Sequence, residues 1–352
     1  MENIKGLTCN SGESKIVHIH PSLQCNLFCK HCYSESSPQL KSSLDLNKLK
    51  PFLAFARGEG YNIVSISGGE PFLYRDLEEL TAYTKSVGFY NMVVSNGMLL
   101  GSEKNKRILQ NIDLIAISID GNKELHDDMR QQNGAFEKMI SGVNVLKELG
   151  KTFGFIHTIT ERSWKQLLWI AEFAHGNGAR LFQLHPLENF GRARQSFNYS
   201  LSQEILYKAY ILYHYIKDKY NDAMFVQLDF LHKQHIIDFP SLVNVHFDGE
   251  ELQEAKQLRN LINTIIIDEK GNILPIAYGF SKEFMLENIY RFNTREEWIE
   301  ADVFEKFLNN KSGTLYRKYK TAYNYVVNSD NEMINWNELI VEMSNEKTME
   351  LV

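Results

Sequence analysis

Cysteine is scarce in this chain: four in 352 residues, at positions 9, 25, 29 and 32, with none beyond Cys32. A disulfide-stapled fold spreads its cysteines along the sequence, so that class is excluded. Long apolar runs are missing as well. Nothing approaches the roughly 18 consecutive apolar residues of a membrane-spanning helix. Residues 1–15 are polar and lack the apolar stretch of a signal peptide, so the cytoplasm is the expected compartment and no membrane partner is expected. Positive charge is not in excess: 38 Lys and Arg stand against 44 Asp and Glu, for a net −6. That balance removes the electrostatic case for nucleic acid. Repeats and low-complexity stretches are also absent. What remains is ordinary globular composition, 43% hydrophobic, long enough for one large domain with an appendage or for two domains.

From residue 15 to about 222 the sequence alternates strand and helix signals. Short β-branched runs fall at 16–20, 63–67, 92–95, 114–119, 153–159 and 180–184. Between them, Phe136, Met139, Ile140, Val143, Leu146 and Leu149 share a helical face. So do Leu167, Ile170, Ala171 and Ala174, and then Ile205, Ala209, Leu212 and Ile216. Gly88, Gly150 and Gly178 stand where such helices would stop. Six strands, each followed by a helix, imply a parallel α/β sheet with right-handed crossovers, either open or curled into part of a barrel. In both cases chemistry gathers after the C-terminal ends of the strands. Beyond residue 222 the pattern changes. A strand at 224–230, a hairpin over 264–276 turning at Lys270-Gly271-Asn272, and helices at 296–310 and 335–345 are expected. The chain therefore divides into residues 1–222 and a smaller α+β module, 223–352.

The cysteines carry the sharpest signal. Cys25, Cys29 and Cys32 are spaced C-x3-C-x2-C, just after the first strand. Three soft thiolates on one loop can each bind one iron of a cubane cluster, leaving a fourth iron open. A zinc site is the alternative, with His31, His20 or His18 as the fourth ligand, although no second cysteine hook exists. This segment resembles the signature of the radical S-adenosylmethionine superfamily, over roughly residues 15–220. The resemblance implies a partial (β/α)6 TIM-like barrel, one [4Fe–4S] cluster on Cys25, Cys29 and Cys32, and S-adenosylmethionine as cofactor. The family often has an aromatic before the last cysteine; here His31 takes that place and would lie against the adenine.

Further motifs end further strands. Gly68-Gly69-Glu70-Pro71 reads on its own as a glycine turn before a helix with an early proline. It is similar to the family's GGEP motif, in which two glycines let a ligand approach the backbone and Glu70 would hold the methionine ammonium. Ser95-Asn96-Gly97 is a turn signal that in the family lies beside the cofactor. Ser118 and Asp120 fall on one side of an extended segment. The resemblance implies that Ser118 and Arg130 bind the methionine carboxylate and that Asp120 lies near the ribose; a surface arginine is the alternative for Arg130. Leu187, before Gly191-Arg192, is either the apolar contact of the adenine or a core leucine. His185 is either an acid–base group or a structural histidine.

The stretch 265–275, with Glu287-Asn288-Ile289, looks like the C-terminal extension of peptide-modifying (SPASM/twitch-type) radical maturases. In those enzymes that region carries auxiliary clusters. Here Ile276 and Ala277 stand where the usual cysteine would be, so a cysteine-ligated auxiliary cluster is excluded by inventory. Cys9 is the only spare thiol, in a polar segment. There is no room before Lys15 for an N-terminal peptide-binding domain, so residues 223–352 or another chain would capture a peptide. The reading is an enzyme that generates a 5′-deoxyadenosyl radical and crosslinks or oxidises a ribosomally made peptide or protein. An electron donor such as flavodoxin or ferredoxin would serve it. A small metabolite or cofactor precursor is the alternative substrate, and a non-catalytic metal-stabilised binding protein the third reading.

Overall fold

A computed structural model describes residues 14–197, 201–245 and 261–345. The expected alternation is present. It runs β1 (Ile16–Ile19), α1 (Leu46–Gly58), β2 (Ile63–Ile66), α2 (Leu77–Ser86), β3 (Tyr90–Ser95), α3 (Glu103–Leu109) and β4 (Leu114–Ser118). It continues through α4 (Lys123–Arg130), α5 (Ala135–Glu148), β5 (Phe153–Ile159), α6 (Leu167–Gly176), β6 (Leu181–Pro186) and α7 (Gln203–Tyr220). Adjacent strands from β1 to β6 pair in parallel, in sequence order.

The strand expected at 224–230 is β7 (Phe225–Leu228), and it joins the same sheet beside β6. After β8 (Leu231–His232) and α8 (Lys233–Asp238), the expected hairpin appears as β9 (Thr264–Ile267) and β10 (Asn272–Pro275), followed by β11 (Glu287–Asn288). β9 lies parallel to β1, and β10 is antiparallel to β9 and to β11, so one ten-stranded sheet runs from β11 to β7. The expected helix at 296–310 is two helices, α9 (Arg295–Ala301) and α10 (Val303–Asn310). Asp302 breaks them apart with φ of +46°. α11 (Ser312–Asn328) was not expected; its buried face is built partly of Tyr316, Tyr319 and Tyr323, residues weak as apolar markers. A last pair, β12 (Met333–Ile334) and α12 (Trp336–Asn345), sets β12 against β8.

The sheet is curled. β1 and β6 lie five steps apart, roughly 24 Å if flat at about 4.8 Å per step. Yet the loops that follow them meet: Arg192 donates from Nε to the Cys29 carbonyl at 2.9 Å. One apolar core runs along the outer face of the sheet. Val17, Ile19, Ile115, Ile117, Phe153, Phe155, Phe182 and Leu184 face the helices, and residues from Leu261 to Val341 pack into the same core. By strand alternation, His18, Gln183 and His185 face the other, inner side.

Candidate active site

The cysteine loop leaves β1 and is bonded at every stage. His20 N–H donates to Ile267 O at 2.9 Å, tying its start to β9. Gly69 N–H donates to Ser22 O at 2.9 Å and Glu70 N–H to Gln24 O at 2.8 Å, so the loop after β2 runs alongside. Gly68 has φ of +98°, and a Cβ on Gly69 would stand 2.1 Å from Gln24 O, so this approach requires both glycines. Lys30 N–H reaches Met129 O at 3.0 Å, and Cys25 N–H reaches Ser37 O at 3.1 Å. Arg192 closes the loop from the far side. Its N–H bonds Cys32 O at 3.0 Å and its Nη2 bonds Ser36 O at 2.7 Å. Its guanidinium lies 3.9 Å from the Phe28 ring centroid. The sequence offered Arg192 only as part of the Gly191-Arg192 pair, with no role assigned to it.

Cys29 is buried, and Cys25 and Cys32 are half-buried. Burial pushes Cys25 up to about 12 and Cys29 to about 11, with Arg130 partly offsetting the latter. Those two sulfurs are therefore thiols until a soft metal displaces their protons. Among the described residues, no three His, Cys, Asp or Glu side chains converge on one point as ligands of a single ion do. The histidines named for a zinc site have other partners. His18 Nε2 lies 2.6 Å from Ser67 Oγ, His20 Nε2 3.3 Å from Tyr33 Oη, and His31 Nε2 3.4 Å from Asp120 Oδ1. A donor set of three thiols on one loop fits a cluster that offers each of them its own iron.

Around these sulfurs the structure gathers most of the expected residues. Glu70, 2% exposed, accepts from Ser95 Oγ at 2.9 Å, from Asn96 N–H at 2.9 Å and from Phe72 N–H at 3.2 Å. No cation lies within ion-pair distance of it among the described residues. Burial lifts its carboxyl to about 7 against those three donors. Asn96 also donates to Asn26 Oδ1 at 2.8 Å, linking the turn after β3 to the cysteine loop. Asp120 and Arg130 are paired with each other: Arg130 Nε lies 2.5 Å from Oδ2 and Nη2 3.2 Å from Oδ1. Burial opposes the Asp120 charge, but Arg130, then His31 and His126, outweigh it and hold the carboxyl well below the usual range. Arg130 is buried, not a surface residue, and its Nη1 lies 3.8 Å from Cys29 Sγ. Its fork is thus turned to Asp120 and to the cysteine. His31 is pushed down to about 4 by burial, and its Nδ1 is buried without a partner. Ser118 ends β4 half-buried, its hydroxyl unbonded among the described residues. Leu187 is 5% exposed in the apolar core. Cys9 lies outside the described residues.

On the other flank, Ile276 and Ala277 pack against the core and Tyr278 stacks on His20, ring centroids 4.5 Å apart. Aromatic rings therefore stand next to Ile276 and Ala277, where the resemblance would put a cysteine.

Residues 19–174 match the Radical SAM superfamily. The antilisterial bacteriocin subtilosin biosynthesis protein AlbA of Bacillus subtilis is 27% identical over 76% of this chain and 55% of its own length. The chain thus spans about half of that relative. An AdoMet-dependent heme synthase of Methanosarcina barkeri is 26% identical over 80% of this chain and 81% of its own. In fold, the chain resembles Streptococcus suis SuiB bound to precursor peptide SuiA, with a TM-score of 0.63 at 16% identity. That likeness covers 86% of this chain and 68% of SuiB. No described helix is long and apolar enough to cross a membrane.

Proposed function

We propose that this chain, which carries a radical SAM domain and is an enzyme of that chemistry, oxidises or crosslinks a ribosomally made peptide. Cys25, Cys29 and Cys32 would hold one [4Fe–4S] cluster. Bound together, the cluster and S-adenosylmethionine supply a 5′-deoxyadenosyl radical that takes a hydrogen atom from the substrate. The observation that carries the reading is Glu70. A buried carboxyl, aimed by three donors and with no cation in ion-pair distance among the described residues, stands beside a three-thiol loop. It would accept the methionine ammonium in a charge-assisted bond. Ser95, Asn96 and the Phe72 amide keep Glu70 in place. Gly68 and Gly69 offer bare backbone next to it. Arg130, fixed by Asp120, would present positive charge to the sulfurs and to the methionine carboxylate, with the Ser118 hydroxyl available nearby. The Nδ1 of His31, without a partner among the described residues, would meet a polar atom of the nucleoside. Burial of Cys29, Glu70, Asp120 and Arg130 would help exclude water from a reactive radical.

Similarity to AlbA and to the fold of SuiB supports a peptide substrate. Residues 223–352 would cap and bind it, in the cytoplasm, with a flavodoxin- or ferredoxin-like donor supplying electrons. Similarity to the heme synthase along four-fifths of both chains favours a second reading, a small cofactor precursor. The test is anaerobic reconstitution with iron and sulfide, reduction, and mass spectrometry for 5′-deoxyadenosine. Wild type should form it and Cys29→Ala should not; zinc loading without S-adenosylmethionine binding would overturn the reading. A peptide encoded beside the gene should accelerate the product, and acceleration by a small precursor instead would favour the second reading.

A further inference from the structure

The inner face of the sheet carries a second constellation that the cofactor site does not use. The β6–β7 register sets Gln183 opposite Gln227 and Leu184 opposite Leu228. Asp229 N–H continues the ladder to Leu184 O at 2.9 Å, which brings Asp229 beside His185. Three side chains converge on the Asp229 carboxylate. Gln183 Nε2 donates to Oδ2 at 3.0 Å and Gln227 Nε2 to Oδ1 at 2.7 Å. His185 Nδ1 makes a direct contact with Oδ2. With Nδ1 spent on the carboxylate, Nε2 is the open nitrogen. It has no partner among the described residues, and the side chain is 37% exposed while Asp229 is 13%.

The other histidines on this face are built differently. His18 is bonded to Ser67, and His20 to Tyr33 and stacked under Tyr278; neither has a carboxylate. Burial pushes His18 down to about 4, with His185 adding to it, and His20 well below the usual range. The charged and titratable groups that act on His185 are Asp229 after β7, Glu188 after β6 and His18 on β1, with His157 on the opposite face of β5 sensing its charge through the sheet. Burial works against protonation of His185, but Asp229, then Glu188, outweighs it and raises its affinity for a proton.

We infer that His185, oriented by Asp229, is an acid–base pair that takes a proton from the substrate in the hollow of the curled sheet. The inference rests on the oxidising reading above. Net loss of two hydrogens removes one as an atom; the other leaves as a proton and an electron. In the proton step an X–H bond of the substrate breaks, with X nitrogen, oxygen or sulfur. The electron pair stays on X, and an Nε2–H bond forms. The imidazolium is stabilised by Asp229, as in other carboxylate–histidine pairs. The electron passes to a one-electron acceptor of the iron–sulfur class. The substrate group is therefore one with a dissociable proton beside the attacked C–H.

Diethyl pyrocarbonate, which acylates only neutral imidazole, tests this on the reconstituted full chain. Peptide mass spectrometry reads each histidine across neutral pH. His185 should react with a midpoint above the ordinary imidazole value of about 6.5. Asp229→Asn should move that midpoint down, weakening proton affinity at least tenfold, and His185→Gln should abolish the signal. An ordinary midpoint in wild type, no reaction at His185, or an unmoved midpoint in Asp229→Asn overturns the pair. The wild-type midpoint decides even if the asparagine variant does not fold. 5′-Deoxyadenosine measured on the same preparation separates the two ideas, since its absence strikes the radical reading and leaves the histidine midpoint to stand or fall alone.

Discussion

Glu70 is a carboxyl whose burial works against its charge until a cation arrives. Between its unfolded value near 4.5 and its folded value of about 7, the native state keeps a proton that the unfolded chain has lost. Cofactor-free protein should therefore lose stability as pH rises through that window. S-adenosylmethionine binding has the opposite slope, because its ammonium needs the anion: affinity should strengthen as pH rises through about 7. Glu70→Gln should weaken binding by roughly 1.5–3 kcal/mol and flatten both slopes. Calorimetric titration on either side of neutrality checks it; a glutamine variant that binds as tightly as wild type would remove Glu70 from the site. The residue was legible because Gly-Gly-Glu-Pro is a contiguous motif at a strand end. The mutual pairing of Asp120 and Arg130 was not, because two residues ten apart reveal their partners only when α4 folds back against β4.

At the scale of elements, the site depends on loops that approach more closely than side chains allow. Gly191 has φ of +56°, and a Cβ there would stand 2.4 Å from Tyr33 O and 2.5 Å from Cys32 O. Those oxygens belong to the cysteine loop, so Gly191→Ala should push the β6 loop off it and loosen the Arg192 clamp. The expected cost is roughly 1–3 kcal/mol in stability, with less iron retained per chain after reconstitution. Normal iron content with unchanged denaturant midpoint would show that the clamp has no bearing on the cluster. Strand positions were readable from β-branched runs, and β6 was expected within two residues of its place. Helix α11 was not, since tyrosines supply much of its buried face.

For the whole molecule, the decisive contact is β9 against β1. The strand that launches the cysteine loop is an interior strand only because a segment some 250 residues later pairs with it. A fragment ending at residue 222 would expose the β1 edge and the core surface that Ile265 and Ile267 cover. Expressed alone, it should aggregate and bind little iron; a soluble monomer with full iron loading would show that residues 223–352 are dispensable for the centre.

The sequence by itself carried the proposed cofactor chemistry, because the three cysteines that would hold the cluster lie within eight consecutive positions and the Gly-Gly-Glu-Pro motif ends a strand. It also showed that no cysteine follows Cys32, since an inventory needs no coordinates. Only the tertiary structure decided what each helper touches: Arg130 on Asp120, Arg192 on the cysteine loop, His185 on Asp229. Each contact joins separate elements, and the Arg192 contact arises because a twisted parallel sheet curls until the loops after β1 and β6 meet. No local pattern encodes that closure.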